Sequence, residues 1–175
     1  MHKIYGGDFL NINPYRNNYI KALCSMCPAA TARVKGSRSH PFLRGRVNFV
    51  PVSDGVLVVS IIKGLPTGGG KCGSGVFGFH IHEGMTCTGT ESDPFADTMG
   101  HYNPDDCPHP QHAGDMPPLF ENSGTAFSVF LTNRFKISEI IGRTVVIHSQ
   151  PDDFTTQPSG NSGTKIACGE IERVI

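Results

Sequence analysis

No tryptophan occurs in this chain, and no stretch of it approaches the roughly eighteen consecutive apolar residues of a membrane span. The second absence removes a transmembrane helix from consideration, and no membrane is expected as a partner. Net charge is missing too, with 15 Lys plus Arg against 15 Asp plus Glu. A balanced chain has no electrostatic preference for nucleic acid or anionic lipid, so neither is expected as a partner. The first residues, Met1-His2-Lys3-Ile4-Tyr5-Gly6-Gly7-Asp8, have no apolar h-region and no small-residue cleavage site. Without a secretory signal, the expected compartment is the cytoplasm.

Other residue types are plentiful. The 175 residues include 21 Gly and 13 Pro, which favours short strands joined by many turns over long helices. Six cysteines are present: Cys24, Cys27, Cys72, Cys87, Cys107 and Cys168. That number suits disulfides, whereas a cytoplasm keeps thiols reduced. The sequence does not choose among the pairings.

Residues 1–28 stand apart from the rest. Asn11, Asn13, Asn17 and Asn18 occur there among aromatics without strand alternation. A short helix over residues 18–23 would be ended by Pro28. This stretch reads as an N-terminal extension with little regular structure, and residues 29–175 as one domain.

Within that domain the apolar pattern has period two. Val47 and Phe49 alternate with polar neighbours; Leu57, Val59 and Ile61 alternate with Val58 and Ser60. Phe77, Phe79 and Ile81 alternate with Gly78, His80 and His82. Phe127, Val129 and Leu131 form a further set, and Val145 and Ile147 another. Such segments predict an all-β antiparallel sandwich or barrel. Ser53-Asp54-Gly55 is a hairpin turn between two of them. Residues 136–141 allow one helical turn. Two connections, 84–122 and 149–163, are too long for turns and are bordered by histidines, which favours a functional role.

Six of the eight histidines fall in three clusters. In Phe79-His80-Ile81-His82 the two imidazoles share one strand face while Phe79 and Ile81 share the other. Side by side they can chelate a metal, or simply face water. His101, His109, His112 and Asp115 lie within one loop. Three imidazoles and a carboxylate make a four-donor set that suits zinc. His148 ends a strand and is followed by Pro151-Asp152-Asp153; taken singly, neither His148 nor Asp152 would stand out.

Together, GFHIHEG, GHYNP…H…HAGD, GRTVVIHSQPDD and GNSGTKIACGE resemble the signature blocks of the copper/zinc superoxide dismutase family, bacterial type. The resemblance implies an eight-stranded Greek-key β-barrel, an immunoglobulin-like sandwich with two long functional loops. It implies superoxide as substrate, and copper and zinc as cofactors. Copper would be bound by His80, His82, His101 and His148, and zinc by His101, His109, His112 and Asp115. His101 would then be a bridging imidazolate and a catalytic residue. Asp152 would join His80 to His109 behind the metals, and Cys87 would pair with Cys168.

The chain also departs from the family's pattern. Lys165 stands where an active-site arginine is usual, so the charge is kept and the planar fork of donors lost. The loop 149–163 has no Lys or Arg, which leaves Lys165 as the expected source of local positive field. Cys72 and Cys107 are extra, and are either a second disulfide or two free thiols. Cys24-Ser25-Met26-Cys27 is a lone CxxC that could bind Cu(I) or zinc, cycle as a redox pair, or be a local disulfide. The rival to an enzyme is a domain of the same fold that buffers or delivers copper without turnover. A homodimer is left open, since no large apolar stripe marks a partner surface.

Overall fold

The computed structural model describes residues 27–67 and 75–175. Nearly all of the expected extension falls outside those residues, as do the helix expected over residues 18–23, Cys24 and Cys72. Nine strands are formed among the described residues: β1 (Ala30–Gly36), β2 (Arg44–Val52), β3 (Gly55–Lys63), β4 (Val76–Phe77), β5 (Phe79–His82), β6 (Leu119–Phe120), β7 (Thr125–Thr132), β8 (Thr144–His148) and β9 (Lys165–Arg173). One helical turn, α1 (Ile137–Ile140), forms inside the 136–141 segment, and the Glu139 carboxylate accepts the Lys136 N–H at its start at 2.8 Å. Among the described residues no helix is long and apolar enough to cross a membrane.

Seven strands make one antiparallel sheet in the order β5-β8-β9-β1-β2-β3-β7, and β4 pairs with β6 in a separate ribbon. The non-consecutive neighbours β3–β7, β9–β1 and β5–β8 are consistent with Greek-key connectivity. The result is an open antiparallel β-sandwich, which corrects the expected closed eight-stranded barrel. Closure fails where the strands are shortest. Gly78 separates β4 from β5 and gives its N–H to Gln150 O at 2.7 Å instead of to a ladder. Between β6 and β7 the chain turns through Ser123 and Gly124, both in the left-handed region. β5 and β7 are therefore left as the two edges of the large sheet, and β4 and β6 form a ribbon of two residues each.

The alternation expected for β5 is borne out. Phe79 and Ile81 join the main core with Phe49, Leu119, Ile147, Ile166 and Ile171. His80 and His82 point to the other face and are buried beneath the long loops. In β3 and β7 both faces are apolar, and the face that enters the main core is Val56, Val58, Ile62 and Ala126. Leu57 and Val59 pack outside with Val50 and Val129, while Ile61, Phe127 and Leu131 stay exposed.

Cys87 and Cys168 form a disulfide, so the loop after β5 is fixed to β9 across 81 residues of sequence. The pair packs with Phe95 and Val146 in a small cluster of its own. This bond overturns the expectation of a cytoplasmic protein. A reducing cytoplasm keeps thiols apart, whereas a structural disulfide belongs to an oxidising environment.

Candidate metal centre

Two groups of donor side chains form where the outer face of β5 and β8 meets the two long loops. In the first, one ligand atom each of His80, His82, His101 and His148 lies within 4.8 Å of the others; in the second, the same holds for His101, His109, His112 and Asp115. Strand alternation sets His80 and His82, and His148 arrives at the end of the neighbouring strand β8. His101 is brought in by an isolated bridge to His82, and Asp115 by one to His80. Short backbone contacts thus bring ligands far apart in sequence into one cluster.

The second nitrogens of the rings are held by the protein. His80 Nε2 donates to Asp152 Oδ2 at 2.7 Å, and His109 Nε2 donates to Asp152 Oδ1 at 2.9 Å. His82 Nδ1 donates to Met99 O at 2.9 Å, and His148 Nδ1 points at Gly163 O at 3.4 Å. These contacts fix ring orientation and tautomer. They also leave the His82 and His148 Nε2 lone pairs facing one another at 3.2 Å, an arrangement that a shared cation relieves.

Among the described residues, four buried ring nitrogens have no hydrogen-bond partner: His80 Nδ1, His101 Nε2, His109 Nδ1 and His112 Nδ1. A buried unsatisfied nitrogen is costly unless something coordinates it. His109 Nδ1 and His112 Nδ1 lie 3.1 and 3.3 Å from Asp115 Oδ2, close enough to share an ion with it. His101 reaches both groups. Its Nδ1 is 2.7 Å from Asp115 Oδ1, and its Nε2 is buried without a hydrogen-bond partner.

Electrostatics favour neutral imidazoles, the form that binds metal. Burial pushes His80 down to about 4 and His148 down to about 3, and burial also holds His82 well below its ordinary value. Burial would raise Asp115, but the His101 hydrogen bond and the neighbouring imidazoles outweigh it and keep the carboxylate ionised. Asp152 behaves in the same way, its burial outweighed by hydrogen bonds from His80, Phe154 N–H and His109. Gly160 makes room for that carboxylate. It sits at φ +66°, and a Cβ there would fall on Asp152 Oδ1 and crowd His109 Nε2.

The family model for copper/zinc superoxide dismutase matches residues 43–171. The chain belongs to that family. A copper/zinc superoxide dismutase of Aquifex aeolicus is 33% identical over 142 residues, covering 73% of this chain and 78% of that protein. One from Deinococcus radiodurans is 32% identical over 148 residues, covering 74% of this chain and 78% of that one. The solved structure of the Cu/Zn superoxide dismutase from Brucella abortus superposes with a TM-score of 0.68 at 26% identity, covering 82% of this chain and 99% of that one. A SOD-like protein from Bacillus subtilis gives a TM-score of 0.63 at 26% identity, covering 80% and 96%. Copper and zinc are accordingly the cofactors of this superoxide dismutase homologue, and its unpartnered imidazole nitrogens fit them.

All seven expected ligand residues are brought together, and Asp152 lies behind them. Lys165 pairs across the ladder with His148, beside a bulge. Its Nζ donates to Phe95 O at 3.1 Å and lies 3.7 Å from Asp93 Oδ2, so the expected lone cation has an acidic neighbour. The proposed partner of Cys107, Cys72, lies outside the described residues. The sequence reading did not find Asp93, Gly160 or the carbonyls of Met99 and Gly163. No local signal marks a carbonyl, although Gly160 stands in the GNSGTKIACGE block.

Proposed function

We propose that the chain dismutes superoxide, with copper held by His80, His82, His101 and His148 and zinc held by His101, His109, His112 and Asp115. The observation that supports this reading is that His101 belongs to both donor groups, with Nδ1 2.7 Å from Asp115 Oδ1 and Nε2 buried without a hydrogen-bond partner. Bound copper supplies a one-electron couple that accepts an electron from one superoxide and returns it to the next, while zinc supplies charge without redox change. Two superoxide ions and two protons become dioxygen and hydrogen peroxide.

The protein's own groups would contribute in several ways. His101 Nε2, which has no hydrogen-bond partner, would take up a proton in the first half of the cycle and release it to the product in the second. Asp115, whose Oδ1 lies 2.7 Å from His101 Nδ1, would share zinc with that nitrogen, and the shared ion would orient the ring and tune its basicity. Asp152 fixes the tautomers of His80 and His109 together, so that both present Nδ1. Lys165, beside His148, offers a cation to an incoming anion.

The test is reconstitution with copper and zinc, both quantified in the sample whose superoxide consumption is measured. One copper and one zinc per chain with turnover supports the reading. Metal uptake without turnover makes the protein a copper-carrying domain.

A further inference from the structure

The segment bearing His109 and His112 has no regular strand or helix, so side chains must fix the backbone that presents those rings. At His109 one side chain holds both main-chain groups. His109 N–H donates to Gln157 Oε1 at 2.9 Å, and Gln157 Nε2 donates to His109 O at 2.7 Å. The primary amide thus takes the place of a neighbouring strand, with one donor and one acceptor matched to one peptide pair.

Gln157 belongs to the loop 149–163, as does Asp152, which holds the His109 ring. The two residues differ in reach. Asp152 also holds His80 and so touches both donor groups. Among the hydrogen bonds of the described residues, Gln157 reaches His109 and no other member of either group, and His109 belongs to the second group alone. Because His109 is buried, water is a poor substitute for the amide, and loss of Gln157 leaves two main-chain groups short of partners.

We infer that Gln157 is a positioning residue for the zinc side: it sets the His109 backbone so that Nδ1 stands with His101, His112 and Asp115, and it links the order of loop 149–163 to zinc occupancy. This rests on the reading of that group as the zinc site. Glutamate at 157 could accept from His109 N–H but not donate to His109 O, so the two halves of the contact are separable by substitution.

The experiment uses the full chain, loaded with zinc alone or copper alone, as wild type, Gln157→Ala and Gln157→Glu. Zinc affinity is read by competition with a chromophoric chelator, and Co(II) replaces zinc to give a visible spectrum. Gln157→Ala should lower zinc affinity by about tenfold, the lower end of the range for outer contacts to metal ligands. Gln157→Glu should fall between it and wild type. The Co(II) bands should change in Gln157→Ala, copper affinity should hold, and zinc-induced hydrogen-exchange protection over residues 153–160 should shrink. Wild-type zinc affinity in Gln157→Ala overturns the inference while leaving the zinc site intact. Equal losses of zinc and copper affinity also overturn it, since they mark a general structural role. A wild-type chain that takes up no zinc removes the zinc-site reading and the inference together.

Discussion

Lys165 Nζ stands 3.7 Å from Asp93 Oδ2, so the cation beside His148 is partly offset by a carboxylate from the loop after β5. An anion approaching the copper side meets the field of both groups, which salt screens over about 10 Å at moderate ionic strength. Lys165→Ala should lower the second-order rate several-fold at low salt and flatten its salt dependence. Asp93→Asn should raise the rate by about twofold and steepen that dependence. Lys165→Arg should hold or raise the rate, because a guanidinium can serve Phe95 O and Asp93 together. Pulse radiolysis across a salt series reads all three. An Asp93→Asn variant indistinguishable from wild type would show that the pair does not govern anion approach.

His148 and Asp115 distinguish the two donor groups. His148 belongs to the first group alone and Asp115 to the second alone. His148→Ala should abolish turnover and retain close to one zinc per chain. Asp115→Ala should release zinc and loosen the loop 84–122, since an anionic donor is lost with the bond. Metal analysis after dialysis decides, and the reverse pattern of losses would sink the assignment.

Gly160→Ala tests the packing behind the metals without touching a ligand. The added Cβ collides with Asp152 Oδ1 at a left-handed backbone position, which itself costs about 1 kcal/mol for a non-glycine residue. Because Asp152 serves His80 and His109, both metals should bind about 10- to 100-fold more weakly. Unchanged affinity for either metal would mean that the carboxylate can move without releasing that ring.

The metal-free protein should lose stability in mild acid. His80, His82 and His148 all have folded-state values below the ordinary 6.5. The unfolded chain therefore binds more protons as pH falls from about 6.5 toward about 4, and stability drops with it. Each histidine contributes up to about 1.4 kcal/mol per pH unit within its window. Lowered Asp115 and Asp152 act in the same direction at still lower pH. Urea titrations of demetallated protein between pH 4.5 and 8 provide the measurement, and a flat profile below pH 6.5 would contradict the burial argument.

Strand alternation makes the His80 and His82 pair legible in the sequence and clustering does the same for His101, His109, His112 and Asp115, whereas His148 and Asp152 stand out only through the family resemblance. His80 and His82 had to share a face once Phe79 and Ile81 entered the core. The contacts behind the ligands are not legible, because Met99 O, Gly163 O and Gln157 meet their histidines only through the fold of two loops without periodicity. The open sandwich escaped for a related reason: β4 and β6 are two residues each, too short for any alternation to register. In β3 and β7 apolar residues occupy both faces, so the pattern marks the strands without saying which face is inner. The first eight residues point to a different compartment from Cys87 and Cys168, whose pairing is implied in the sequence by the resemblance alone and is formed in the structure.

The open edge has a consequence for handling the protein. Beyond Thr125, the free side of β7 has no ladder partner among the described residues, and Phe127 and Leu131 project outward beside Ile61. Its eight residues, TAFSVFLT, contain no proline and no charge, the features that usually stop one strand from recruiting another. Concentrated protein should therefore be prone to edge-to-edge self-association through β7, and Phe127→Lys should reduce it, as read by light scattering.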